Sequence, residues 1–271
     1  MLDPPTAPGW LAGLWRRSSI VLADGTVDDT TLVYWGQTET LFVDLRIPAD
    51  RPDAQGRRSF EDFSDEELLS LAEQKGFAGH VVVDGSMCTW VRYIDFRPDN
   101  GRSDQGRLRI DGDTLFEEGD PSSVLGEGYR ETYHRQCRAQ QRSVALYRPA
   151  GQGARENAAV LIVIDDRFLY ARARPRPLPQ AESLRDLIAA AGNDRELIHG
   201  YLDCEVSYGL VSEGWKVANS TIPFREGQRL TERRFSLAPE SHVLATDDGN
   251  QPWSIVESTL ALPELAELMN G

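Results

Sequence analysis

The sequence predicts an all-β protein made of two similar antiparallel β-barrels in tandem, each with a short helix. Short apolar runs recur along the chain, and Asp-Gly pairs at 24–25, 84–85, 111–112 and 248–249 separate several of them. This spacing is typical of antiparallel hairpins. The two halves of the chain also repeat the same order of elements. Closing each sheet into a barrel would remove the exposed edges that so many short strands otherwise leave.

The length of the chain and its repeat set the predicted domain boundaries. A chain of 271 residues has room for two modest domains at about 100 to 200 residues each. We expect an N-terminal barrel over residues 1–139 and a C-terminal barrel over residues 140–271.

The composition excludes several classes of partner. There are 43 acidic and 29 basic residues, a formal charge of −14, which opposes binding to nucleic acid or to an anionic membrane. No apolar run approaches the roughly 18 to 20 residues that cross a bilayer, and the N-terminus lacks a secretory signal. The three cysteines are an odd number and lie far apart, which favours reduced thiols. We therefore expect a soluble, cytoplasmic protein.

The first copy is predicted to begin with strands and to carry one helix. Ser64 followed by Glu67 three positions later indicates a capping box at the start of that helix. The predicted strand pairs and closing strands of this copy are 31–48, 79–96, 107–110, 114–117 and 129–137, with the helix at 64–75.

The second copy repeats this order at a nearly constant offset, so that Arg46 lies opposite Arg174 and Trp90 opposite Trp215. Its predicted strands are 159–175, 204–221, 231–237, 242–246 and 253–259, with helices at 183–191 and 262–269.

The triplet Gly13-Leu14-Trp15 opens the first predicted strand. It resembles the Gly-x-Trp signature of the lipocalins. That resemblance implies that Trp15 packs across the closed end of a barrel and that an arginine of the last strand, here Arg135, lies over its indole, a contact worth roughly 0.5 to 2 kcal/mol. The tandem layout is also similar to a fungal two-barrel family described as interacting with a casein-kinase-type kinase, and to carotenoid-hydratase-type tandem lipocalins.

The strand 41–47 carries the first candidate site residues, because it alternates between two faces. One face is aliphatic, and the other bears Phe42, Asp44 and Arg46. An inward aliphatic face would leave Asp44 and Arg46 as a solvated surface pair, which is the interpretation we favour. The opposite orientation would make them a charged clamp for a polar ligand, since buried charges must be paired.

Aromatic and polar side chains on two neighbouring strands could line a pocket for a small molecule. Trp35 and Gln37 share a face, as do Trp90, Arg92 and Ile94. Tyr93 and Asp95 would then lie on the face opposite Arg92. The alternative is that Trp35 and Trp90 only fill the core.

The last strand of the first copy holds the densest set of reactive side chains. Tyr129, Glu131, Tyr133 and Arg135 lie on one side of it. A glutamate between two tyrosines could act as an acid or base if burial raised its pKa. The ordinary alternative, and the one we favour, is an amphipathic strand with this stripe on the outside.

Three functions remain open from the sequence. We expect a binding protein whose N-terminal barrel takes up a small, partly apolar molecule. The alternative is a lyase, isomerase or hydratase that uses the same cavity, with Glu131 or Asp44 transferring the proton and Arg46 or Arg92 holding the charge of the substrate. A third hypothesis is a protein-interaction module with filled barrels.

Chemistry that needs a cofactor lacks support in the sequence. The four histidines are scattered, no spacing matches a metal motif, and glycine-rich nucleotide loops are missing. We therefore expect neither a metal nor a cofactor. The second copy replaces Arg92 by Val217, and the stripe of tyrosines and glutamate by Ser254, Val256 and Ser258, which favours a single functional copy.

Overall fold

In the computed structural model, the described residues are 3–121, 128–139, 142–151, 157–230, 235–238, 243–246 and 252–270. They form two antiparallel sheets and four short α-helices. The first sheet contains β1 Gly13–Leu22, β2 Val27–Asp28, β3 Leu32–Gln37, β4 Phe42–Ile47, β5 Lys75–Asp84, β6 Met87–Asp95, β7 Asp104–Asp111, β8 Thr114–Gly119 and β9 Tyr129–Arg138.

The second sheet and the helices complete the described elements. The strands are β10 Ser143–Arg148, β11 Ala159–Ile164, β12 Arg167–Arg172, β13 Glu205–Leu210, β14 Lys216–Ser220, β15 Phe235–Ala238, β16 Val243–Thr246 and β17 Trp253–Ser258. The helices are α1 Asp65–Leu71, α2 Leu184–Ala191, α3 Arg195–Leu202 and α4 Leu262–Asn270. The Asp-Gly pair at 248–249 lies outside the described residues.

The first sheet is a closed barrel. Its strands follow the order β2-β1-β3-β4-β5-β6-β7-β8-β9, and β1 also pairs with β9. The all-β prediction is therefore confirmed for this unit. The second sheet has the order β14-β13-β12-β11-β10-β17-β16-β15 and is likewise antiparallel. In both sheets the first long strand thus lies beside the last.

Local sequence signals explain most of the turns and helix starts. Gly85 and Gly112 occupy hairpin turns with φ of 59° each, a conformation that glycine adopts without a steric penalty. Ser64 caps α1 and accepts a hydrogen bond from the Glu67 amide, so the capping box is confirmed. The helix ends earlier than predicted, at Leu71, and Lys75 belongs to β5 instead.

Strand β4 is buried on both faces. Val43, Leu45 and Ile47 of this strand, and Leu41 just before it, pack outside the barrel in a core shared with the second unit. Leu169 and Val206 belong to that core. Strand β12 has the same two-sided pattern, with Leu169 in the shared core and Phe168 inside its own unit. The favoured interpretation of a solvated Asp44 and Arg46 is therefore wrong, because the second unit covers the aliphatic face that water would otherwise reach.

One end of the barrel is closed by the residues that the lipocalin resemblance singled out. The Arg135 guanidinium lies 4.0 Å above the Trp15 ring and donates hydrogen bonds to the Ala12 and Trp10 carbonyls. A Cβ on Gly13 would come within 2.5 Å of the Cys137 carbonyl oxygen, which explains the glycine. Among the described residues, no helix is both long and apolar enough to cross a membrane.

Candidate functional site

The interior of the first barrel contains a network of paired charges. Glu131 on β9 accepts hydrogen bonds from Arg17 at 2.6 Å and from Arg46 at 2.8 Å. Tyr133 also donates its hydroxyl to Glu131, and Arg46 donates to Asp44 at 2.8 Å. The exterior placement of the Tyr129 to Arg135 stripe is thus wrong, since β1 and β9 close the barrel with these side chains inside.

Burial and pairing push the carboxyl pKa values of this network apart. Burial by itself raises the pKa of Glu131, but the charges of Arg46 and Arg17 outweigh it and leave the pKa below its usual range. Burial raises the pKa of Asp44 in spite of the opposing Arg46. Neither carboxyl group lines the cavity described next.

A cavity of about 310 Å³ occupies the barrel at the end opposite Trp15. Four of the predicted site residues line it: Arg46, Trp90, Arg92 and Tyr129. The other predicted residues lie deeper. The Trp35 ring packs edge-on against Trp90 and Tyr133, with centroids 5.8 Å apart in each case. Gln37 donates to the Thr38 carbonyl at 2.9 Å.

A bulge in β6 changes which residues face the cavity. Ala78 pairs with Ile94 but Gly79 pairs with Arg92, so Tyr93 is the extra residue. The bulge turns Asp95 to the same side as Arg92, which donates to it at 2.5 Å, and turns Ile94 into the shared core. The predicted opposition of Arg92 and Asp95, and the shared face of Arg92 and Ile94, are therefore wrong.

Glu117 on β8 is a cavity residue that the sequence interpretation missed. It is 3% exposed, and the Tyr129 hydroxyl donates to it at 2.6 Å. Burial and the nearby Glu131 raise its pKa well above the usual range. A glutamate held protonated on a cavity wall can donate a proton or a hydrogen bond. Glu117 lies two residues after the buried Leu115 on the same strand, hence on the same face, and this spacing is the signal that could have identified it.

The site residues predicted from the sequence do not include three further cations of the cavity, Lys75, Arg97 and Arg17. Lys75 and Arg97 both line the cavity beside Arg46, and Arg17 lies on β1 two residues after Trp15, hence on the same face. Burial and the charges of Arg97 and Arg46 lower the pKa of Lys75 to about 8. The sequence predicts that Lys75 ends a helix, and that prediction does not place its side chain in the barrel.

The described part of the second unit has an apolar core together with buried polar residues, among them Arg148, Glu205 and Ser207. Trp215, Val217, Trp253 and the α4 residues Leu265 and Met269 belong to its core. Trp253 is buried and Ile255 packs against this core, so these are the inward residues of β17. Ser254 and Val256, two of the predicted counterparts, lie on the other side of β17, because the predicted register is one residue out. Val256 is the extra residue of a bulge, after which Ser258 pairs with Val144 of this core and lies on its side of the sheet. The described residues hold no group of three or more His, Cys, Asp or Glu arranged for a metal ion.

Comparison with known proteins supports the fold and leaves the activity open. No protein-family model and no curated protein matches the chain. A solved structure of an uncharacterized protein, YLR301w from Saccharomyces cerevisiae, is similar, with a TM-score of 0.55 and 12% sequence identity over 91% of this chain and 98% of that one. At this identity the likeness concerns the fold alone.

Proposed function

We propose that the first barrel binds a small, partly apolar molecule in its cavity. The observation that carries this proposal is the combination of an open volume of about 310 Å³ with aromatic walls and a few convergent polar groups. Phe77, Trp90 and Tyr129 supply the walls, and Ile20 and Leu22 supply aliphatic surface near the mouth. Small-molecule sites have this composition.

The volume limits the size of the ligand. It lies at the lower end of the roughly 300 to 1,000 Å³ that is common for ligand pockets. At about 30 Å³ per water molecule in the liquid, it corresponds to on the order of ten non-hydrogen atoms. We therefore propose a compact molecule, such as a substituted single ring, and not a long acyl chain.

Native mass spectrometry of the protein purified from its own host tests this proposal. We expect the mass to exceed that of the chain by the mass of a small molecule that denaturation releases. Thr31→Trp places a large ring on a residue that lines the cavity, and should remove the adduct. Val27→Trp, on an exposed position outside the cavity, should retain it. An adduct of equal abundance in Thr31→Trp would contradict the proposal.

A second candidate function is proton-transfer catalysis in the same cavity. The specific observation in its favour is Glu117, which is buried beside Tyr129 and whose pKa burial raises well above the usual range. Glu131 and Asp44, the groups proposed from the sequence, do not line the cavity. An isomerase, lyase or hydratase would therefore use Glu117 as its acid. Glu117→Gln should then abolish turnover of the retained molecule and leave its binding intact.

We also infer kinship with the lipocalin-like two-barrel proteins, supported by the stacking of Arg135 on Trp15. A cytoplasmic location is part of the same proposal, and the free thiols of Cys88, Cys137 and Cys204 agree with it. The third hypothesis, an interaction module with filled barrels, would gain support if the wild-type protein retained no ligand and bound no probe.

A further inference from the structure

We propose that the ligand of the first barrel is an organic acid, and that Lys75 and Arg97 bind its carboxylate at the cavity mouth. This inference rests on the proposed binding function and adds the chemical class of the ligand. It begins from three cations that the fold brings together on one rim of the cavity.

The backbone register places these three cations in a row. Arg46 on β4 pairs directly with Lys75 on β5, so their Cβ atoms lie on the same inward face about 4.5 to 5.5 Å apart. The Phe96 amide donates to the Gly76 carbonyl at 2.8 Å. Arg97 therefore follows in register beside Lys75. Like charges directly opposite each other destabilise a sheet, so this row requires negative charge nearby.

The nearby carboxylates already form ion pairs with other cations. Arg46 is paired with Asp44 and Glu131. Arg92, a fourth cation of the cavity, forms ion pairs with Asp95 and Asp104.

Of the other acids that line the cavity, Asp28 pairs with Arg17 at 2.9 Å and Glu73 pairs with Arg185 of the second unit at 3.3 Å. The third, Glu117, accepts a hydrogen bond from the Tyr129 hydroxyl. Within the described ranges of the chain, neither Lys75 nor Arg97 forms an ion pair with a carboxylate. The row thus contains one cation that forms ion pairs and two that form none.

One nitrogen of the Arg97 guanidinium also lacks a hydrogen-bond partner. Its Nε is buried and, in the part of the chain that the structure describes, has no hydrogen-bond partner. A buried donor without a partner costs about 1 to 3 kcal/mol, more when it is charged. Because this Nε is buried away from the cavity, a carboxylate would bind the other two nitrogens of the guanidinium. Arginine presents two parallel N–H groups to a planar anion, and lysine adds a third donor.

The other residues that line the cavity indicate what kind of molecule carries the carboxylate. The Arg92 guanidinium covers one face of the Phe77 ring at 3.8 Å, so Trp90 and Tyr129 supply the apolar surface next to the cationic rim. A small aromatic or unsaturated carboxylic acid would therefore place its charge on Lys75 and Arg97 and its ring against these walls.

The test compares two probes of equal shape, para-fluorocinnamate and para-fluorocinnamamide, by fluorine NMR titration against the full chain at pH 7. We expect wild type to bind the acid at least about tenfold more tightly than the amide. Lys75→Gln and Arg97→Gln should each bring the two affinities close together and leave amide binding unchanged. The exposed Lys216→Gln and Arg102→Gln variants are matched controls that should behave as wild type.

The outcomes separate this inference from the function on which it rests. Equal binding of acid and amide by wild type would overturn the assignment of an organic acid and leave the binding function standing. A preference for the acid that persists in both variants would show that other groups hold the carboxylate. Failure of both probes to bind wild type would count against the binding function itself. Circular dichroism and urea denaturation establish that each variant is folded.

Discussion

The Arg46 guanidinium of β4 donates a hydrogen bond to the Glu131 carboxylate of β9 at 2.8 Å across the barrel interior. Strands β3 and β1 separate these two strands in the sheet, so the bond crosses the barrel interior and does not follow a ladder. Together with Arg17 and Asp44 it separates the apolar closed end from the cavity. The interior is thus divided into a packed half and an open half.

Glu131→Gln should destabilise the fold by about 3 to 5 kcal/mol, because it leaves Arg17 and Arg46 buried without their shared counter-charge. Urea denaturation followed by circular dichroism measures this. Arg130→Gln changes the exposed neighbour on the same strand and should stay within about 0.5 kcal/mol of wild type. A loss below about 1 kcal/mol in Glu131→Gln would show that the network contributes little.

Glu117→Gln should stabilise the protein at neutral pH relative to wild type. Burial raises the pKa of Glu117 well above its ordinary 4.5, so the unfolded state releases this proton first as the pH rises. Wild-type stability then falls by about 1.4 kcal/mol per pH unit from 4.5 up to the raised pKa. Urea midpoints at pH 5, 6, 7 and 8 should therefore diverge between the two proteins, and parallel midpoints would show that Glu117 is ionised.

The preference for an acidic probe should weaken as the pH rises through about 8, because burial lowers the pKa of Lys75 to about 8 and only its charged form attracts the carboxylate. The charged groups that act on Lys75 are Arg97, Arg46, Glu131 and Arg17. Repeating the para-fluorocinnamate titration from pH 6 to 9 measures this. In Lys75→Gln, the preference for the acidic probe should not change with pH. If the wild-type preference is equally independent of pH, the arginines alone bind the carboxylate.

The two units should unfold together, because they share one apolar core. A Cβ on Gly36 of β3 would lie 2.7 Å from Leu169 Cδ1 of β12. Gly36→Ala should therefore cost about 1 to 3 kcal/mol through overpacking and lower the midpoint of a single calorimetric transition. Gly9→Ala, which meets no atom within 4 Å, is the control. Two separate transitions, with only one shifted, would contradict a shared core.

Alternation along the strands could be predicted from the sequence, but the direction of each face could not. The pattern of β4 divides its residues correctly into two sets. Which set is inside depends on the second unit, since Leu169 and Val206 cover the aliphatic face. A contact between residues so far apart in the chain leaves no local signal. The closed end was predictable, because Gly13, Trp15 and Arg135 form a motif with a geometric meaning.

Two further features of the site depend on local irregularities. The bulge at Tyr93 exchanges the faces of Ile94 and Asp95, and no proline or glycine at that position marks it. The end of α1 at Leu71 releases Lys75 into a strand, whereas its helical pattern in the sequence continues further. The first error separates Asp95 from Arg92, its ion-pair partner. The second leaves Lys75 out of the cavity that it lines.

The central claim is that the cavity of the first barrel is a binding site. It is tested most directly by titrating wild type, Thr31→Trp and Val27→Trp with a set of neutral fluoroaromatic amides of about ten non-hydrogen atoms, observed by fluorine NMR. We predict saturable binding to wild type and Val27→Trp, and at least about tenfold weaker binding to Thr31→Trp. Binding that Thr31→Trp leaves unchanged, or no binding by any member of the set, would contradict the claim.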